Sequence, residues 1–212
     1  MDLLTRLSES LQGGDADQVA ELTRQALAAG LAPKPILDQG LIAGMTVVGD
    51  RFKAHEIFLP DVLLAAKAMY AGLDLLRPLL AKAGVATGGR VVIGTVRGDL
   101  HDIGKNLVAI MLRGAGLEVI DLGKDVAPER FVAAAQEHGA QVIGMSALLT
   151  TTMPVMRQVV DLCRERGLYG KVKLIVGGAP LSAEYAREIG ADAYCFDGVN
   201  AVDVVKRYLG TA

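Results

Sequence analysis

From the first residues to about residue 83, apolar positions recur at helical spacing in long Ala- and Leu-rich segments with few β-branched runs. Asp15 stands where a helix cap belongs. Val19, Leu22, Ala26 and Leu27 then fall on one helical face, and Gly30 suits the C-terminal end. The same spacing predicts a short helix over residues 2–12 and longer ones over residues 35–52 and 58–83. Four amphipathic helices bury their stripes most economically against one another, which predicts a four-helix bundle over residues 1–84.

GVATGG, residues 84–89, is a run of small residues with no helical stripe, and residues 85–89 read as a linker. The pattern changes after it. Short β-branched runs, RVVIGTV, LEVIDL, QVIGMS, KVKLIVGG and AYCF, alternate with helical patterns starting near Ile103, Pro128, Pro154, Ser182 and Val199. Runs apolar on both faces and separated by helices predict a parallel sheet covered on both sides over residues 90–212. With five strands, the flavodoxin-like (Rossmann-type) order 2-1-3-4-5 follows. Ligands of such sheets bind beyond the carboxyl ends of the strands.

Bulk properties narrow the classes. The chain has 212 residues, 51% of them apolar, enough for two real cores. Its formal net charge is -2, with acidic and basic residues interspersed, which favours neither nucleic acid nor an anionic membrane. Mean hydropathy is high at +0.35. Yet no stretch of about 18 apolar residues is free of charge, and MDLLTRLSES is no signal peptide, so a cytoplasmic protein is expected. Cys163 and Cys195 stand far apart without a CxxC, so neither a disulfide framework nor a zinc site is expected.

The unusual residues gather at the predicted strand ends. RGDLHDIGKN, residues 97–106, places His101 between Asp99 and Asp102 just after strand 1. A carboxylate can fix the tautomer of an imidazole and leave its other nitrogen free, so His101 could be a surface hydrogen bonder, a proton-transfer group or a metal ligand. Gly104 in the first turn of a helix costs helix propensity and suggests the close approach of something bulky. Gly177 and Gly178 after strand 4 raise the same thought, against the plainer reading of a tight turn. Ser146 at the end of strand 3 could cap the next helix or bind a ligand. No GxGxxG or P-loop follows strand 1, which excludes the usual nucleotide readings, and no nucleophile pairing stands out.

Three motifs in order, Asp99-Leu100-His101-Asp102-Ile103-Gly104, Ser146-Ala147-Leu148 and Gly177-Gly178, are separated by 41 and 28 residues. This set resembles the DxHxxG, SxL and GG signature of the cobalamin-binding (corrinoid) proteins of methyltransferase systems and the matching module of cobalamin-dependent methionine synthase. The resemblance covers nearly the whole chain, because VVGDRFKAHEIFLPDVLLAA, residues 47–66, is similar to the helical cap that precedes the cobalamin domain.

The resemblance implies a cobamide (cobalamin, methylcobalamin or a related corrinoid) bound with its own base displaced and His101 as the lower axial ligand of cobalt. Its nucleotide tail would thread past Gly104, Ser146, Leu148, Gly177 and Gly178. Asp99 would accept a hydrogen bond from the distal nitrogen of His101. In the methionine synthase module a serine completes this relay, and here that position is Thr152, which keeps the hydroxyl. Phe52, Leu59 and Val62 match or adjoin cap residues over the upper, methyl-bearing face.

The implied function is a methyl carrier alternating between cobalt(I) and methylcobalt(III), a subunit rather than a complete enzyme. Its implied partners are a substrate-specific methyltransferase, a second methyltransferase acting on tetrahydrofolate or a thiol, and a reductive activase. A cobalamin-dependent sensor would need a basic DNA-binding segment, which is missing from this sequence. A mutase subunit shares DxHxxG but usually lacks the helical cap. A signalling receiver would need an aspartate where strand 3 ends in Ser146.

Overall fold

The computed structural model describes residues 2–82 and 88–210. The chain divides into two compact units, residues 1–87 with 114–116, and residues 88–113 with 117–212. Residues 83–87, which hold most of the expected linker, lie outside the described residues.

The first unit is helical. α1 (Leu3–Gln12) is capped by Asp2, whose carboxylate accepts the Thr5 N–H at 2.9 Å. α2 (Ala16–Ala28) is capped in the same way by Asp15 through the Gln18 N–H, also at 2.9 Å. Such caps satisfy backbone donors that the first helical turn cannot pair. Val19, Leu22 and Ala26 are buried and Leu27 half-buried on α2. The next segment departs from the expected single helix over residues 35–52. A turn, α3 (Pro33–Pro35), leads into a π-helical stretch (Ile36–Ile42), and only then does α4 (Ala43–Lys53) continue. A wider turn shifts the helix face by one residue without changing residue types, so apolar spacing does not reveal it. Gly40 and Gly44 meet α1 here: a Cβ on Gly40 would lie 2.6 Å from the Leu7 side chain, and one on Gly44 2.9 Å from the Ser8 carbonyl. α5 (Leu59–Lys82) completes the unit, burying Val62, Ala65, Ala68, Met69 and Leu76.

The second unit is a five-stranded parallel sheet in the order β2-β1-β3-β4-β5, built of β1 (Arg90–Thr95), β2 (Glu118–Asp121), β3 (Val142–Ser146), β4 (Lys173–Gly177) and β5 (Ala193–Tyr194). Helices α6 (Ile103–Gly114), α7 (Pro128–His138), α8 (Met153–Glu165), α9 (Ala183–Ile189) and α10 (Gly198–Leu209) connect or follow the strands. Strand side chains alternate between faces, so the sheet has two cores. Val91, Ile93, Val142 and Ile175 pack with residues of α6 and α10. Val92, Ile143, Leu174 and Val176 pack with residues of α7, α8 and α9. The ladder already begins at Gly89, whose carbonyl accepts the Glu118 N–H at 2.9 Å. β5 is shorter than the expected AYCF run: Phe196 turns outward and is exposed.

Candidate cofactor site

The register of the sheet aligns Thr95, Ser146 and Gly177 at the carboxyl ends of β1, β3 and β4. By strand alternation these small residues share the face of Ile93 and Ile175, the one covered by α6 and α10. The chain leaving β1 turns at Gly98, whose φ of +84° suits glycine, before Asp99 enters the interior.

A fully buried carboxylate is costly unless donors take up its oxygens. Oδ1 of Asp99 accepts the His101 backbone N–H at 3.1 Å and lies 2.8 Å from His101 Nδ1. Oδ2 accepts the N–H groups of Leu148 at 2.7 Å and Leu149 at 3.1 Å, and the Thr152 hydroxyl at 2.9 Å. Burial works against ionisation, but the hydrogen bonds from Leu148, from the backbone and ring of His101, and from Thr152 outweigh it. They hold the Asp99 carboxyl well below the usual carboxylate range.

This arrangement fixes the imidazole. Against an ionised Asp99, Nδ1 of a neutral His101 carries the hydrogen, and Nε2 presents a lone pair. The His101 side chain is 51% exposed, and Nε2 has no hydrogen-bond partner among the described residues. The Thr152 hydroxyl is also 2.8 Å from the Leu149 carbonyl. It has one hydrogen, and the charged carboxylate is the stronger acceptor.

The glycines divide by physical cause. A Cβ on Gly178 would overlap the Ala147 carbonyl, and its φ of +140° disfavours any other residue. On Gly177, a Cβ would lie 3.0 Å from the Cys195 carbonyl. The chain's own packing therefore requires glycine at 178 and leaves a side chain at 177 only a tight fit. Gly104 differs: a Cβ there would meet nothing within 4 Å, so the backbone of the first turn of α6 borders open space. Around the strand ends Leu100, Ile103, Leu148, Leu149 and Phe196 are exposed, Ile103 by 73% and Phe196 by 65%. Such a collection of large apolar side chains on one unit marks a binding face.

Among the described residues no cluster of three or more His, Cys, Asp or Glu could hold a bare metal ion. A metal that brings its own equatorial ligands needs only one protein donor, and the outward Nε2 of His101 is a donor of the right type. The residues fit a cofactor of that kind: one oriented imidazole, an apolar rim, and a small-residue face bordered by the open side of Gly104.

His101, Asp99 and Thr152 are thus brought into one hydrogen-bonded group, with Gly104, Ser146, Leu148, Gly177 and Gly178 at the same end of the sheet. Leu148 joins the group through its backbone, and the Ser146 carbonyl accepts the Val96 N–H at 3.0 Å. Asp102 opens α6 with its carbonyl, on the Asn106 N–H at 2.8 Å. In the helical unit Phe52 ends in the last turn of α4, half-buried, Leu59 begins α5, half-buried, and Val62 is fully buried. Sequence reasoning missed Thr95, whose hydroxyl holds the His101 carbonyl at 3.1 Å, and Asp125, which pairs with the backbone at Gly98 and Asp99. It also missed Lys105, buried against the Asp121 carboxylate at 2.6 Å. The alternation of a charged residue within an apolar helix was the signal for Lys105; the other two carried none.

Comparison with known proteins identifies the family of both units. The family described as B12 binding domain matches residues 89–206, and a second family of the same description matches residues 3–77. A corrinoid protein of Desulfitobacterium hafniense (strain Y51) is 45% identical over 213 residues, covering 99% of each chain. Trimethylamine corrinoid protein 2 of Methanosarcina acetivorans is 44% identical over 207 residues, covering 97% of this chain and 95% of its own. Among solved structures, the methanol:cobalamin methyltransferase complex MtaBC from Methanosarcina barkeri contains a chain that superposes with a TM-score of 0.89 at 31% identity. It covers 99% of this chain and 80% of that one.

Proposed function

Since the chain belongs to the corrinoid proteins of methyltransferase systems, built on B12 binding domains and binding a cobamide, we propose that it holds its cobamide base-off with His101 as lower axial ligand. In that form it carries a methyl group between two methyltransferases. When bound, the cobamide supplies a cobalt centre that takes up a methyl group in its cobalt(I) form and gives it up again.

The observation that carries the reading is the buried, ionised Asp99 holding Nδ1 of a half-exposed imidazole whose Nε2 is unpartnered among the described residues. Asp99 orients the ring and strengthens its donor nitrogen, as outer partners of metal-bound histidines do. Thr152 and the Leu148 and Leu149 N–H groups keep the carboxylate charged, so the hydrogen between ring and carboxylate stays on Nδ1 at neutral pH. Gly104 leaves room for the nucleotide tail beside α6, with Ser146, Leu148, Gly177 and Gly178 along it. For the helical unit the proposal rests on the sequence resemblance, which makes the half-buried Phe52 and Leu59 an apolar lid against water and oxidants; Val62, read from the sequence as a third lid residue, is fully buried and serves as core instead.

The relatives named for trimethylamine and dimethylamine support a methylated amine as methyl source, delivered by a substrate-specific methyltransferase. A second methyltransferase passes the group to tetrahydrofolate or a thiol, and a reductive activase restores cobalt(I), all within the cytoplasm. No helix among the described residues is long and apolar enough to cross a membrane. The test is reconstitution. Apo-protein should retain one cobamide per chain through gel filtration. Its absorption spectrum should change when reduced holoprotein meets trimethylamine or dimethylamine and the matching methyltransferase. Retention of no cobamide would end the proposal, and a response to methanol alone would replace the amine.

A further inference from the structure

His101 does not stand on Asp99 alone, because Asp99 is itself held from behind. Asp125, in the loop between β2 and α7, makes two bonds to the turn that carries it. Its Oδ1 accepts the Gly98 N–H at 2.7 Å, and its own N–H donates to the Asp99 carbonyl at 3.1 Å. The two bonds bracket the Gly98–Asp99 peptide. They exist because Asp125 has a φ of +56°, a left-handed conformation that Asp tolerates and most residues avoid. The neighbouring ladder fixes this loop against the end of β1: Val126 N–H donates to the Thr95 carbonyl at 3.0 Å, and Thr95 N–H to the Gly123 carbonyl at 2.9 Å.

We propose that Asp125 is a positioning residue for the axial ligand: by clamping the Gly98–Asp99 peptide it sets the reach of His101 and hence the fraction of cofactor ligated by the imidazole. The inference rests on the reading of His101 as axial ligand and extends it. The path is short: the structure holds Asp125 to the Asp99 backbone and the Asp99 carboxylate to Nδ1, and the proposed ligation joins the imidazole to the metal. Loosening the first link leaves Asp99 charged and paired but lets the ring drift. Ligand geometry is sensitive to shifts well below an ångström when the supporting contacts are lost.

Two substitutions separate the clamp from the backbone conformation. Asp125→Gly adopts the positive φ freely and removes only the acceptor. Asp125→Asn keeps an acceptor oxygen and tolerates the same φ. In cobamide-reconstituted protein reduced to cobalt(II), the ratio of imidazole-ligated to unligated cofactor, read from the axial-nitrogen splitting in the electron paramagnetic resonance spectrum, should fall about threefold to tenfold in Asp125→Gly. Asp125→Asn should restore it. In apo-protein, the Nδ1–H proton resonance of His101 should broaden in Asp125→Gly and return in Asp125→Asn. Equal ratios and equal resonances in wild type and Asp125→Gly would overturn the proposal. If wild type itself shows no axial nitrogen, the reading of His101 as ligand fails, and the apo-protein resonance still decides whether Asp125 positions the ring.

Discussion

Replacing Gly104 by alanine should strengthen the apo-protein while weakening its hold on the cofactor. The position lies in the first turn of α6, and a Cβ there would meet nothing within 4 Å. Alanine is the better helix former by about 0.5–1 kcal/mol, with a turn at the helix start taking the lower part of that range. For a chain of this size the melting temperature of apo-protein should rise by about 1–2 °C. The new methyl group intrudes on space that we assign to the nucleotide tail. Overpacking costs about 1–3 kcal/mol, which corresponds to cobamide binding weaker by about fivefold to 150-fold. Calorimetric melting of apo-protein and titration with cobamide give the two numbers. An unchanged affinity would refute the placement of the tail beside α6, and a lowered melting temperature would refute the reading of that space as open.

Gly178→Ala should behave oppositely: overlap with the Ala147 carbonyl at a φ of +140° should cost the apo-protein about 4 kcal/mol or more in urea denaturation, or abolish folding. Removing the Thr152 hydroxyl in Thr152→Ala should destabilise the apo-protein by about 1.5–3 kcal/mol, the worth of a hydrogen bond to a buried charge, while Thr152→Ser should recover most of it. The Asp99 carboxyl titrates lower in the fold than in the unfolded chain. Its contribution to stability is therefore full above about pH 4, the unfolded value, and is lost as pH falls through the folded one. Asp99→Asn should flatten that acid limb, as followed by urea denaturation across the acid range. Burial pushes the Cys163 thiol up to about 11 and the Cys195 thiol up to about 12, so neither should react with iodoacetamide near pH 8 in native protein, and both should react in urea.

The alternation of strand and helix was legible because each kind of element leaves its own period: VVIG and LIVG are apolar on both faces, while the helices carry one stripe. The π-helical stretch Ile36–Ile42 was not, since an extra residue in a turn leaves the sequence of residue types unmarked. In the site, Asp99, His101 and Thr152 could be found because their side chains make the contacts. The Leu148 and Leu149 N–H groups on Asp99 are backbone donors that any residue there would provide. Asp125 escaped notice because its clamp depends on a backbone angle set by the fold. Gly177 and Gly178 read either as clearance for a ligand or, more plainly, as a tight turn, and the structure adds a local cause in the carbonyls of Cys195 and Ala147.

The central claim is that His101 donates its Nε2 to the cobalt of a bound cobamide. Protein grown with heavy-nitrogen histidine, reconstituted with cobamide and reduced to cobalt(II), tests this directly by electron paramagnetic resonance. The axial splitting should change from that of ordinary nitrogen to that of the heavy isotope, and should vanish in His101→Ala while His55 and His138 remain. A splitting that ignores the label, or that survives in His101→Ala, would contradict the account.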